Sequence, residues 1–188
     1  ISATPIVRVD AVYNATVSSN RDHLKAGESV VLSGLLSRIN NGAPVANKPY
    51  TITLTNSTSN RVITLTGNSG IDGSFSRTFI PSVEQAGNYS ITARWTPNLG
   101  EDSAPEDSFS VAGLGFVENG FFYSPIGEGK TLSGNVTLRN YGPSTVDNLN
   151  LSLLNLPSSW TFTPTGLPAS LASGATATIQ WQLIVPDA

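Results

Sequence analysis

The chain has 188 residues, 12% of them charged and 39% hydrophobic, with a formal net charge of -3. That balance fits one large or two small globular domains and excludes a disordered chain. It also leaves nothing to neutralise a phosphate backbone, so nucleic acid is not an expected partner.

With no cysteine, disulfides, thiolate metal sites and a cysteine nucleophile drop out. No methionine is present, not even at position 1, so the chain reads as a processed protein or an excised fragment. No apolar run approaches the ~20 residues needed to cross a bilayer, and no membrane span is expected. Ser, Thr, Asn and Gly dominate the polar positions, a composition common on secreted β-proteins.

Period-two alternation runs through the chain, broken by Gly, Pro, Asn and Asp clusters. Pro5 to Val17 sets Val7, Val9, Ala11 and Tyr13 on one face. Glu28 to Arg38 groups Val30, Leu32 and Leu36, with Val31 and Leu35 opposite. Tyr50, Ile52 and Leu54 alternate with threonines. Val62 to Leu65, Phe75 with Phe79, then Tyr89, Ile91, Ala93 and Trp95 follow, and Phe109 with Val111 closes the set. Short strands at this spacing predict one β-sandwich over residues 1–112.

The rhythm then restarts over residues 113–188. Leu114 to Tyr123 is a predicted strand, and Leu132, Gly134, Val136 and Leu138 alternate before an Asn140-Tyr141-Gly142-Pro143 turn. Leu149, Leu151 and Leu153 alternate next, then Trp160 and Phe162. The last strand puts Ala175, Ala177, Ile179, Trp181, Leu183 and Val185 on its apolar face. Val111 to Gly115 joins the halves with no polar spacer, a short connection that limits reorientation even though Gly113 and Gly115 permit bending. The fold class expected is all-β, two tandem Ig-like antiparallel β-sandwiches.

Ala86-Gly87-Asn88-Tyr89-Ser90-Ile91 resembles the start of strand F in Ig-like domains. There a tyrosine hydroxyl returns to the backbone and pins the corner. That resemblance implies a structural role for Tyr89 and Gly87, with Tyr89 buried. With Lys25 to Val30, Asn41 to Pro49 and Gly70 to Phe75, the first half is similar to bacterial and archaeal surface Ig-like domains. The second half resembles the galactosidase-associated and adhesion-related Ig-like domains of secreted proteins. The matching residues are Val136 to Gly142, Leu156 to Trp160, Leu171 to Thr176 and Val185-Pro186. In that group a further strand follows the proline, whereas this chain stops at Ala188, so its second sandwich is expected to lack its last strand.

No catalytic residue, cofactor site or metal site is expected. The lone histidine, His23, reads as a solvated turn residue, and no Gly-x-Ser-x-Gly segment flags a nucleophile. The acidic run Glu101 to Asp107 reads as a solvated loop, since Pro105 interrupts it and it lacks calcium-loop spacing. Phe121, Phe122 and Tyr123 cannot all point inward, which makes them candidates for contact with a glycan, together with Trp160 and Trp181. Core packing is the competing reading, and Trp181 is expected to be buried. Asn14, Asn56, Asn88, Asn135 and Asn150 head Asn-x-Ser/Thr triplets and are candidate N-glycosylation sites.

These features predict a non-catalytic structural or adhesive module of a cell-surface or secreted protein. Its partners would be neighbouring domains of a larger protein or further copies. Either the chain is truncated or closes its sheet without the extra strand, or the segment Ile1 to Val17 of another copy fills the groove by β-strand addition and builds a filament. The alternative is a glycan-binding accessory module of a secreted enzyme.

Overall fold

Turn residues cut this chain into strands before packing does. Asn47, Asn60, Asn148 and Asn155 all take positive φ, as do seven of the described glycines, the backbone state that Asn and Gly adopt most readily. The computed structural model describes residues 12–96, 105–117 and 127–187.

Between the turns lie β1 (Tyr13–Ser19), β2 (His23–Lys25), β3 (Val30–Arg38), β4 (Pro49–Asn56), β5 (Arg61–Asn68) and β6 (Ser74–Phe79). A 3-10 turn (Val83–Gln85) precedes β7 (Gly87–Trp95) and β8 (Asp107–Ala112). After the connection come β9 (Leu114–Phe116), β10 (Thr131–Asn140), β11 (Val146–Asp147), β12 (Thr161–Thr165), β13 (Ser170–Leu171) and β14 (Thr176–Ile184). The fold is all-β, its strands gathered into separate sheets in the two halves of the chain. Every described strand pair is antiparallel except β2 with β8.

In the first half, a sheet of order β1-β3-β6 faces one of order β2-β8-β7-β4-β5. Alternation sends Val30, Leu32 and Leu36 from one sheet against Ile52, Leu54, Ile91 and Val111 from the other, all at 0% exposure. Each such side chain contributes about 1.5–3 kcal/mol of transfer free energy. Ring pairs fill the gaps: Tyr50 stacks on Phe75 at 4.1 Å, and Tyr89 stacks on Phe109 at 4.9 Å.

In the second half, a sheet of order β12-β14-β10-β9 is faced by the two-stranded ladder β11-β13. Leu138, Leu171 and Ile179 are the buried centre, with Val136, Leu149, Leu151, Leu167, Ala175 and Ala177 packed around them. No described sheet draws strands from both halves.

Four sequence expectations need correction. Leu149, Leu151 and Leu153 do not form a strand. Asn148 at φ 55° breaks the chain before them, and Leu149 and Leu151 pack from an irregular segment while Leu153 stays 44% exposed. His23 is not in a free turn but in β2, where three residues pair in parallel with β8. The third correction concerns the end of the acidic run. The Glu106 carboxylate accepts from the backbone N–H of Val17 at 2.6 Å and of Ala93 at 3.3 Å. Asp107 accepts from the Ser19 N–H at 2.6 Å and its hydroxyl at 2.9 Å. These two carboxylates satisfy the open edge of β1 in place of a neighbouring strand. Finally, the segment Ile1 to Val17 is not wholly available for donation, because Tyr13 to Val17 pair with β3 in the same chain; residues 1–11 lie outside the described residues.

Candidate functional site

Three places gather polar groups whose arrangement the sequence dictates. The first is the corner before β7. Tyr89 is 1% exposed, and its hydroxyl donates to the Gln85 carbonyl at 2.5 Å. Burial pushes the phenol pKa above its ordinary value. Asn56, buried at 0% exposure, donates from Nδ2 to the carbonyls of Gln85 and Ala86 at 3.2 and 3.1 Å. Its Oδ1 accepts from the N–H groups of Thr58 and Ser59 at 2.9 and 3.1 Å. Gly87, at φ 144°, sits where any Cβ would fall on that carboxamide.

Asn56 therefore cannot carry a sugar in this fold, because its amide nitrogen is buried and committed to two carbonyls. Asn14, Asn88, Asn135 and Asn150 lie at exposed positions.

The second place is the junction of the two halves. The Gly113 carbonyl accepts from the N–H of Tyr141 at 2.8 Å and of Gly142 at 3.2 Å. The Asn140-Tyr141-Gly142 turn is held by Asn140, itself at 0% exposure. Its Nδ2 donates to the Ser144 and Leu171 carbonyls at 2.7 and 2.9 Å, and its Oδ1 accepts from the Gly142 N–H at 2.9 Å. Tyr141 reaches across to pack on the core of the first half, while Arg139 lies over its ring at 4.9 Å. A Cβ on Gly113 would stand 2.5 Å from Ala86 Cβ and 2.9 Å from the Val83 carbonyl oxygen. Glycine is needed here for close approach.

Beside the junction is a cleft of about 210 Å³ lined by His23, Ser110, Asn140, Ser144 and Thr145, among others. His23 Nδ1 and the Ser110 hydroxyl are 2.6 Å apart. Among the described residues no carboxylate lines this cleft. Among the described residues no group of three or more His, Cys, Asp or Glu could hold a metal ion.

The third place is the outer face of β12, β14 and β10. Strand alternation puts Ser133, Asn135, Thr163, Thr165, Gln180 and Gln182 on this side, and all six are exposed. They line a depression of about 570 Å³. Cross-strand register arranges them as two rungs: Asn135–Gln180–Thr165 and Ser133–Gln182–Thr163. Thr131, Thr137, Thr161, Thr176 and Thr178 extend the same face by the same alternation. Its charged member is Arg139, at the end of β10 opposite Thr176.

Trp181 lies on the other side of this sheet, where it is half-buried rather than buried. Its ring covers Gly134, where a Cβ would meet Cζ2 at 2.6 Å, and it sits 6.3 Å from the Phe162 ring. Trp160 is half-buried in the turn after Pro157. Phe121, Phe122 and Tyr123 lie outside the described residues. The aromatic expectation looked at the inner side of the strand; the polar face missed by it was signalled by the alternating partners Thr176, Thr178, Gln180 and Gln182.

The family model described as the NPCBM-associated, NEW3 domain of alpha-galactosidase matches residues 126–188. No curated protein matches the chain. Among solved structures, native alpha-2-macroglobulin of E. coli aligns at 11% identity and a TM-score of 0.44, over 94% of this chain and 15% of that one. The C-terminal fragment of intimin, in complex with the intimin-binding domain of its translocated receptor, aligns at 15% identity and a TM-score of 0.42, over 93% and 56%. The Yersinia pseudotuberculosis adhesin InvE aligns at 15% identity and a TM-score of 0.40, over 92% and 51%. The chain thus spans little more than half, or far less, of the length of these structures. No described helix is long and apolar enough to cross a membrane.

Proposed function

We propose that this chain is a non-catalytic structural or adhesive module of a cell-surface or secreted protein. Residues 1–112 and 113–188 act as two sandwiches held in one fixed relation. The observation that carries this reading is the seating of Gly113 against Tyr141, Gly142, Ala86 and Val83. A spacer must transmit position, and a junction with two backbone hydrogen bonds and a shared aromatic side chain resists the hinge motion that glycine linkers otherwise allow. Gly113→Val should dislodge this seat. Small-angle scattering of the wild-type chain should fit one arrangement, and that of the variant a broadened set with a larger mean radius. Equal scattering curves from the two would defeat the reading.

A second reading, a glycan-binding accessory module of a secreted enzyme, is favoured by the polar face of β12, β14 and β10 and by the alpha-galactosidase-associated match over residues 126–188.

A further inference from the structure

The depression on the outer sheet face is built from neutral hydrogen-bonding groups. Ser133, Asn135, Thr163, Thr165, Gln180 and Gln182 line it together with Gly134 and Trp181, and none is charged. The Ser, Asn, Thr and Gln side chains have no partner among the described residues, save a 3.5 Å bond from the Thr165 hydroxyl to the Gln180 carbonyl. We propose that this face binds an uncharged polysaccharide chain laid across the strands. The inference names the ligand class for the second reading above and rests on it; the spacer reading does not depend on it.

The chemistry of the face selects this occupant. Each amide both donates and accepts, and each hydroxyl does the same. A sugar hydroxyl has the same dual character, so it can pair with any rung. A polyanion would find amide and hydroxyl oxygens across the depression and, at the edge of the face, a single cation in Arg139. An apolar protein surface would strip water from six polar groups without replacing it, which costs free energy at each one.

The dimensions also suit an extended polymer. Same-face residues repeat at ~6.7 Å along a strand, and strands lie ~4.8 Å apart, so each three-residue rung spans ~10 Å. A volume of about 570 Å³ falls in the usual range of ligand sites, ~300–1,000 Å³. The Trp181 ring covers Gly134 on the inner side of this sheet.

The test uses the full chain from a host that adds no N-linked sugar, so that Asn135 stays bare. Native gel mobility is measured with mixed-linkage β-glucan, galactomannan or dextran in the gel, and with polygalacturonate as the charged comparison. At least one neutral polymer should retard the chain, and polygalacturonate should not. Gln180→Ala with Gln182→Ala should weaken the retardation at least about fivefold, the loss expected from two hydrogen bonds. Thr64→Ala, on an exposed strand of the first half, should leave it unchanged, and all variants should keep a cooperative thermal transition. Absence of retardation by every neutral polymer overturns the proposal. So does equal retardation by polygalacturonate, or binding that ignores the paired glutamine change. Sedimentation adds a further overturning outcome: a dimer that this glutamine pair disrupts, with no polysaccharide bound, would make the face a contact between copies.

Discussion

Tyr89 and Asn56 meet on one acceptor: the Gln85 carbonyl takes the Tyr89 hydroxyl at 2.5 Å and the Asn56 carboxamide at 3.2 Å. Both side chains are buried, so one oxygen joins the end of β4 to the entrance of β7. Tyr89→Phe removes one bond but leaves the acceptor satisfied. It should cost about 1 kcal/mol. Asn56→Ala strips a buried bond from the Ala86 carbonyl and leaves the Thr58 and Ser59 N–H groups without their acceptor, and should cost about 2–3 kcal/mol. Urea unfolding of both single variants and of the pair checks this, and the pair should be non-additive because the partners share an atom.

Gly87→Ala should be worse than its size suggests. The added methyl meets the Asn56 carboxamide, and φ 144° is strained for any L side chain. A loss of about 2 kcal/mol or more is expected in the same unfolding measurement. Near-neutral behaviour would mean that the corner is slack.

Acid should act on the two carboxylates at the β1 edge with opposite signs. For Asp107, burial pushes the pKa up, but hydrogen bonds from Ser19 and Ser108 outweigh it and hold it below 3.8. A depressed acid gives stability that is present above its unfolded value and lost as pH falls through the folded one. The advantage of the wild type over Asp107→Asn should therefore shrink below pH 3.8. For Glu106, burial pushes the pKa above 4.5 and outweighs the bonds from Val17 and Ala93. Its neutral form is the one the fold prefers, so its contribution is full below 4.5 and declines as pH rises through the folded value. Wild type measured against Glu106→Gln should lose ground from acid towards neutral pH. Parallel slopes for the two comparisons would contradict these assignments.

Gly134→Val tests the support beneath the polar face. The branched side chain collides with the Trp181 ring, and overpacking of this kind costs about 1–3 kcal/mol. Tryptophan emission should shift with the displaced indole while the first half keeps its own unfolding transition.

The sequence was most readable where one rule governed. Val30, Leu32, Ile52 and Leu54 alternate, and all are buried at 0% exposure. Tyr89 could be placed because Ala86 to Ile91 resembles the start of strand F in Ig-like domains, where a tyrosine hydroxyl returns to the backbone. What escaped depended on distant partners. Three leucines at 149, 151 and 153 have strand spacing but find no neighbouring strand to complete a ladder. His23 to Lys25 form β2 only because β8 arrives beside them. Glu106 and Asp107 look like a solvated run until β1 presents its unpaired N–H groups. Asn56 matches a glycosylation triplet, yet its burial is decided by the turn at Gln85 and Ala86. The rungs of the polar face needed the β10–β14–β12 register, which alternation within one strand does not supply.

The fixed relation between the two sandwiches is the claim on which the account turns. The chain has no cysteine, so Thr64→Cys in β5 and Thr178→Cys in β14, both exposed, give two unique spin-label sites. Double electron–electron resonance on the doubly labelled chain should return one narrow distance distribution, broadened when Gly113→Val is added. A broad or multi-peaked distribution in the otherwise unaltered chain would contradict the account.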